Sequence, residues 1–249
     1  MKLLHVFTLL LVFQELQCVT KANETQFKVR INERGSRFNE EIKINEKRNT
    51  VSFMVPKHND VDRSEVLNDF TLNLTVTRLP DKGICHIKPL QKRLPNPKKL
   101  KSEMNFLKNA NGRLQQKNTI VTSSEWTFDK RLNEKDLYPS VVKFCAGLPI
   151  YRLKERPKDW VIMQGMNDTI SRKKRQASGF QLCPRSYMNK NCPPNQWVVN
   201  CKFVVAGSTC VYWMTCTVPI HQVDRDLRNC NFSHDYSAVI CCVPTCPTG

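Results

Sequence analysis

Phe70-Thr71-Leu72-Asn73-Leu74-Thr75-Val76-Thr77 puts an apolar residue at every second position and a polar one between. Successive side chains of a strand point to opposite faces, so this period of two predicts a strand with one buried face. It also places Asn73, which opens an Asn-x-Ser/Thr sequon, on the polar face, where a glycan is tolerated. Upstream, Thr50 to Val55 is strand-like, and downstream Gly83 to Lys88 reads as a third short strand. A helix follows: Asn96 is a capping residue, Pro97 suits the first helical position, and Leu100, Met104 and Leu107 fall on one face. Asn111-Gly112 stops it. Thr119 to Phe128 returns to strand composition. A second helix is expected from near Asp136 to Ala146, with Leu137, Val141 and Phe144 or Cys145 inward, Pro139 in its first turn and Gly147 as its stop. Leu148 to Leu153 is a last strand, which completes an α+β unit over residues 50–155, large enough to bury a modest core.

The flanks of this unit differ from it. Met1-Lys2 is a short positive start, and Leu3 to Phe13 is an apolar run of 11 residues broken only by His5 and Thr8. That run is too short to span a bilayer, which needs roughly 20 residues, and has the length of a signal-peptide core. Residues 1–20 are therefore expected to be a signal peptide, with cleavage after Cys18 or Thr20, and no later stretch reads as a transmembrane anchor. Residues 21–49 are polar and charged with few aromatics, which predicts a weakly ordered linker. Residues 156–175 form a second linker and end in Arg172-Lys173-Lys174-Arg175. Two arginines flanking a lysine pair suit a furin-type proprotein convertase, and an exposed linker is where such cleavage succeeds; the alternative is a solvated charge run.

Of 12 cysteines, Cys85 and Cys145 stand alone in the middle region. Nine crowd into residues 176–249: Cys183, Cys192, Cys201, Cys210, Cys216, Cys230, Cys241, Cys242 and Cys246. In a secreted chain such crowding is a disulfide framework of undetermined pairing, and its odd count leaves one thiol free or paired between chains. Sequons at Asn23, Asn73, Asn167 and Asn231 agree with a glycosylated extracellular protein. Trp197 to Val205 and Cys210 to Met214 read as two strands, with a tight hairpin turn expected at Ala206-Gly207-Ser208-Thr209. This stretch is β-branched, aromatic, nearly uncharged and free of proline, the composition of an aggregation-prone segment.

Val66-Leu67-Asn68-Asp69-Phe70, Ile84-Cys85-His86-Ile87-Lys88-Pro89-Leu90 and Phe144-Cys145-Ala146-Gly147-Leu148-Pro149-Ile150-Tyr151 together resemble the BRICHOS family, in its Bri and chondromodulin/tenomodulin branches. Asn45-Glu46-Lys47-Arg48-Asn49-Thr50-Val51 is similar to the lead-in segment of gastrokines and chondromodulin. The resemblance covers residues 50–155 and maps the family's hallmark acid and two cysteines to Asp69, Cys85 and Cys145. It implies a central antiparallel β-sheet with two helices, a Cys85–Cys145 disulfide, and a proprotein whose domain chaperones a β-prone C-terminal segment. His86 departs from the aromatic residue usual after the first cysteine, and most relatives are membrane-anchored whereas this chain reads as secreted. Such a disulfide would close a loop worth on the order of 3–4 kcal/mol on the chain-entropy model. An exposed sheet face or edge would take the client strand by β-augmentation. Asp69 has two readings, a structural carboxylate that helps the domain sense pH or a cap on the turn before the strand.

The whole is thus expected to be α+β: a BRICHOS-like sheet with two helices, followed by a disulfide-rich, hairpin-containing tail that the domain escorts. Partners follow: the chain's own C-terminal segment, a furin-type convertase, and acidic glycans bound by charge. The net charge is +17, yet residues 21–175 carry 33 basic and 18 acidic residues scattered without any nucleic-acid-binding motif, so no nucleic acid is expected. His58, His86, His221 and His234 lack zinc-ligand spacing, and no nucleophile elbow, HExxH or P-loop occurs, so neither a metal, a cofactor nor an enzyme is expected. Two other functions remain open: a host-defence or toxin-like peptide released after Arg175, and an uncleaved matrix or mucus protein cross-linked through the odd cysteine.

Overall fold

A computed structural model describes residues 24–109, 119–156, 182–184, 187, 198–223 and 228–245. Ten strands form one curled, mixed sheet in the order β1-β2-β3-β4-β5-β6-β8-β7-β10-β9. They are β1 (Glu24–Glu33), β2 (Ser36–Asn45), β3 (Thr50–Val55), β4 (Ser64–Asp69), β5 (Leu74–Leu79), β6 (Ile84–Pro89), β7 (Thr119–Arg131), β8 (Ile150–Glu155), β9 (Val198–Cys216) and β10 (Cys230–Thr245). Among the described residues two α-helices accompany them, α1 (Pro97–Asn109) and α2 (Pro139–Cys145).

Several elements form where local chemistry favours them. The Asn96 side chain accepts the Lys99 N–H at 2.9 Å and caps α1. Pro139 opens α2, and Ala146 and Gly147, both with positive φ, close it. Other expectations are overturned. The segment read as a weakly ordered linker, residues 21–49, carries β1 and β2, whose two-residue Arg34-Gly35 loop has positive φ at both positions and so matches the twist of a hairpin. Most of its charges are set on one face while Phe27, Ile31, Ile42 and Ile44, together with Glu40, are buried on the other. The alternating run that begins at Phe70 is not one strand. Asp69 Oδ1 accepts the N–H groups of Thr71 and Leu72, each at 2.9 Å, and folds Phe70–Asn73 into a turn.

The sheet is also not purely antiparallel. β6 pairs in parallel with β8, and β7 pairs in parallel with β10. Nor do residues 50–155 and the cysteine-rich tail form separate cores. One buried cluster joins Ile42, Phe53 and Val66 to Tyr212, Trp213 and Met214; a second joins Leu79, Ile84 and Phe128 to Ala206, Val239 and Cys241. A third, Val76, Cys85, Val141, Cys145 and Ile150, lies under α2 and contains no tail residue. The physical reason is the edge of β7: left unpaired it would expose a row of main-chain donors and acceptors, and β10 takes them up.

Candidate functional site: the seat of the C-terminal hairpin

The expected hairpin turn at Ala206–Thr209 is absent. β9 runs through those residues and pairs antiparallel with β10, with a register shift where Val239 faces Gly207 and Ile240 faces Val205. From Ala206 to Met214 every residue is buried, so this stretch of β9 is covered on both faces. A Cβ built on Gly207 would stand 2.5 Å from Leu79 Cδ1, so glycine here permits close approach of β9 to β5. On the far side of β10, Phe232–Val239 run beside Thr119–Trp126.

Polar groups fasten this hairpin. Asp235 of β10 accepts from the Thr122 hydroxyl at 2.6 Å and from the Gln91 amide. Lys88 Nζ donates to Ser237 Oγ at 2.8 Å and stands 5.0 Å above the Trp126 ring. Burial pulls the Lys88 ammonium down to about 8, with the Asp235 carboxylate acting in the opposite sense. Asp62 and Ser208 exchange two bonds: Asp62 N–H donates to the Ser208 carbonyl, and Ser208 N–H to Asp62 Oδ2, both at 3.0 Å. Glu40 Oε1 accepts the Tyr212 N–H at 3.1 Å, and Glu103 Oε1 accepts the Cys216 N–H at 2.8 Å. Burial raises the carboxyl pKa of both glutamates. The Tyr212 hydroxyl donates to Glu33 Oε2 at 2.8 Å and lies 3.0 Å from His58 Nε2, while Phe38 stacks on the His58 ring.

The residues singled out from the sequence lie elsewhere or at the margin. A disulfide joins Cys85 of β6 to Cys145, the last residue of α2, and Asp69 is the turn cap described above. Cys183 bonds Cys241 and Cys216 bonds Cys230; Cys242 is also in a disulfide. Cys210 is the free thiol among the described residues, and burial pushes it up to about 12, where it neither ionises nor exchanges readily. Asn73 is exposed with positive φ in the β4–β5 turn, and Asn231 is half-buried on β10. The signal peptide, Asn23, Asn167, Arg172, Lys173, Lys174, Arg175, Cys192, Cys246 and the Cys201 side chain fall outside the described residues. Among those described, no cluster of His, Cys, Asp or Glu could hold a metal, and no helix is long and apolar enough to cross a membrane.

Sequence reasoning missed Glu40, Asp62, Lys88, Glu103 and Asp235. A signal did exist for two of them: Glu40 interrupts the period-two stripe Phe38, Ile42, Ile44, and Glu103 sits beside Leu100, Met104 and Leu107 on the apolar face of α1. A carboxyl on an apolar stripe is costly unless something meets it. Residues 60–152 match the family model of the BRICHOS domain. No curated protein and no solved structure matches the chain.

Proposed function

We propose, from the premise that the chain carries a BRICHOS domain over residues 60–152, that it is a secreted, non-enzymatic proprotein in which this domain escorts its own cysteine-rich C-terminal hairpin. The observation that carries the reading is the pairing of Phe232–Val239 with Thr119–Trp126, which adds the hairpin to the domain's sheet. Strand addition of this kind takes affinity from main-chain bonds and leaves side chains to set specificity. The hairpin needs such shelter: its strands are apolar and long, and its disulfides take seconds to hours to form. While it is seated, the edge of β10 is closed by β7 and β9 is covered on both faces from Ala206 to Met214. The signal-like start and the basic stretch ending at Arg175 support passage through the secretory pathway and suit a furin-type convertase as the processing partner. Cross-linking through an odd cysteine draws no support from Cys210, whose thiol is buried.

Deletion of residues 50–155 from the expressed chain tests the escort. Soluble secreted tail and correct Cys183–Cys241 and Cys216–Cys230 pairing, read by peptide mapping, should both fall severalfold. Unchanged yield and pairing would sink the reading.

A further inference from the structure

We propose that Glu40, Asp62 and Glu103 form a strand-edge receptor, a row of three carboxyl groups that stands in for a neighbouring strand along the outer edge of β9 and recognises the hairpin chiefly through its main-chain N–H groups. This rests on the escort reading and names the chemistry by which the hairpin is recognised. β9 is the last strand of the sheet, so alternate N–H groups turn away from β10. Such a row is a template on which another chain can add. Here the N–H groups of Ser208, Tyr212 and Cys216 meet Asp62 Oδ2, Glu40 Oε1 and Glu103 Oε1 at 3.0, 3.1 and 2.8 Å. The acceptors recur every fourth residue, about 13 Å apart along an extended chain, always on the same side of the strand.

Three unrelated elements supply them: the inward face of β2, the loop between β3 and β4, and the apolar face of α1. Glu40 is fully buried and Glu103 nearly so, and each keeps its second oxygen in the core without a hydrogen-bond partner. Two carboxyl groups buried with half their capacity unmet are a poor investment in stability alone. The strand they serve accounts for Glu40, and for Glu103 together with Lys99, whose Nζ lies 3.8 Å from Glu103 Oε1. The residues they cap are a serine, a tyrosine and a cysteine, and the group common to all three contacts is the main-chain N–H, with the Ser208 hydroxyl adding a 3.4 Å bond to Asp62 Oδ2. Recognition through that group tolerates change of the hairpin sequence and closes the one edge that β7 leaves open.

Amide exchange by NMR on the full chain tests this with Glu40→Leu and Glu103→Leu, against Glu40→Gln and Glu103→Gln, which keep an acceptor oxygen. The leucine variants should raise exchange at Tyr212 and Cys216, respectively, about 10-fold over amides that pair β9 with β10. The double leucine variant should also assemble into thioflavin-positive oligomers, and the glutamine variants should behave as wild type. If Glu40→Leu fails to fold, Glu103→Leu carries the same readout at Cys216, on the rim of the seat. Glutamine variants that exchange as fast as leucine ones would overturn the proposal. So would unchanged exchange at both amides while Phe232–Val239 stay protected, and the escort reading would then survive. Rapid exchange of Phe232–Val239 in the wild type would sink both.

Discussion

His86 occupies the inward face of β6 with neither ring nitrogen hydrogen-bonded. Burial, helped by the Lys88 charge, holds its pKa at about 3. The unfolded chain takes up a proton near 6.5 and the folded one does not, so stability is full above pH 6.5 and is lost as pH falls toward 3. By pH 4.5 this one group withdraws roughly 2–3 kcal/mol. His86→Phe should therefore flatten the acid limb, and urea midpoints at pH 7 and 4.5 would report it; an unaltered difference between the two would assign the limb elsewhere. Glu40 and Glu103 act with the opposite sign. Their carboxyl pKa values are raised, so what they contribute is present below 4.5 and lost as pH rises through the folded values. Only the difference between variant and wild type isolates either group. At this scale the sequence was legible where a residue acts on its own neighbourhood, as Asn96 caps a helix; for Asp69 it left two readings, and the bonds from Thr71 and Leu72 favour the turn cap. It was silent on Lys88, and at Glu40 it marked an interrupted apolar stripe but not the Tyr212 N–H that meets it, because both partners arrive from the far end of the chain.

Among the elements, β9 departs furthest from its local signals. Gly207-Ser208 suits a hairpin turn, yet the strand continues through it because β10 supplies a partner along its full length. The glycine serves contact instead. Gly207→Ala should cost about 1–3 kcal/mol by overpacking against Leu79. Leu79→Ala, damaging by itself, should cost less in that background, with a coupling of about 0.5–3 kcal/mol in a double-mutant cycle. Additive effects by chemical denaturation would mean that β9 does not press on β5 at this point. Elsewhere the period-two stripes and caps placed β3, β6, α1 and α2 to within a few residues. The run from Phe70 was misjudged because alternation persists through a four-residue turn, and β1 and β2 because their charges outnumber the few apolar residues that face the core.

For the molecule as a whole, cutting the linker is not the same as releasing the tail. Two of the three buried clusters mix residues from both sides of Arg175. Cys85 and Cys145, the only cysteines in residues 21–175, bond each other, so no disulfide ties that region to the tail. Chain cut after Arg175 by a furin-type protease should elute as one species under native conditions, with or without reductant, and separate only in strong denaturant. Tail that elutes alone from the native sample would show that the hairpin is not held by the sheet after processing. Composition, caps, cysteine count and strand periodicity were determined by the sequence alone, because each is set by residues within a few positions of one another. The joining of β7 to β10, which brings Thr122 to Asp235 from 113 residues away, was decided only by the tertiary structure. Strand pairing uses N–H and C=O groups that nearly every residue carries, so the choice of partner leaves no local mark in the side chains.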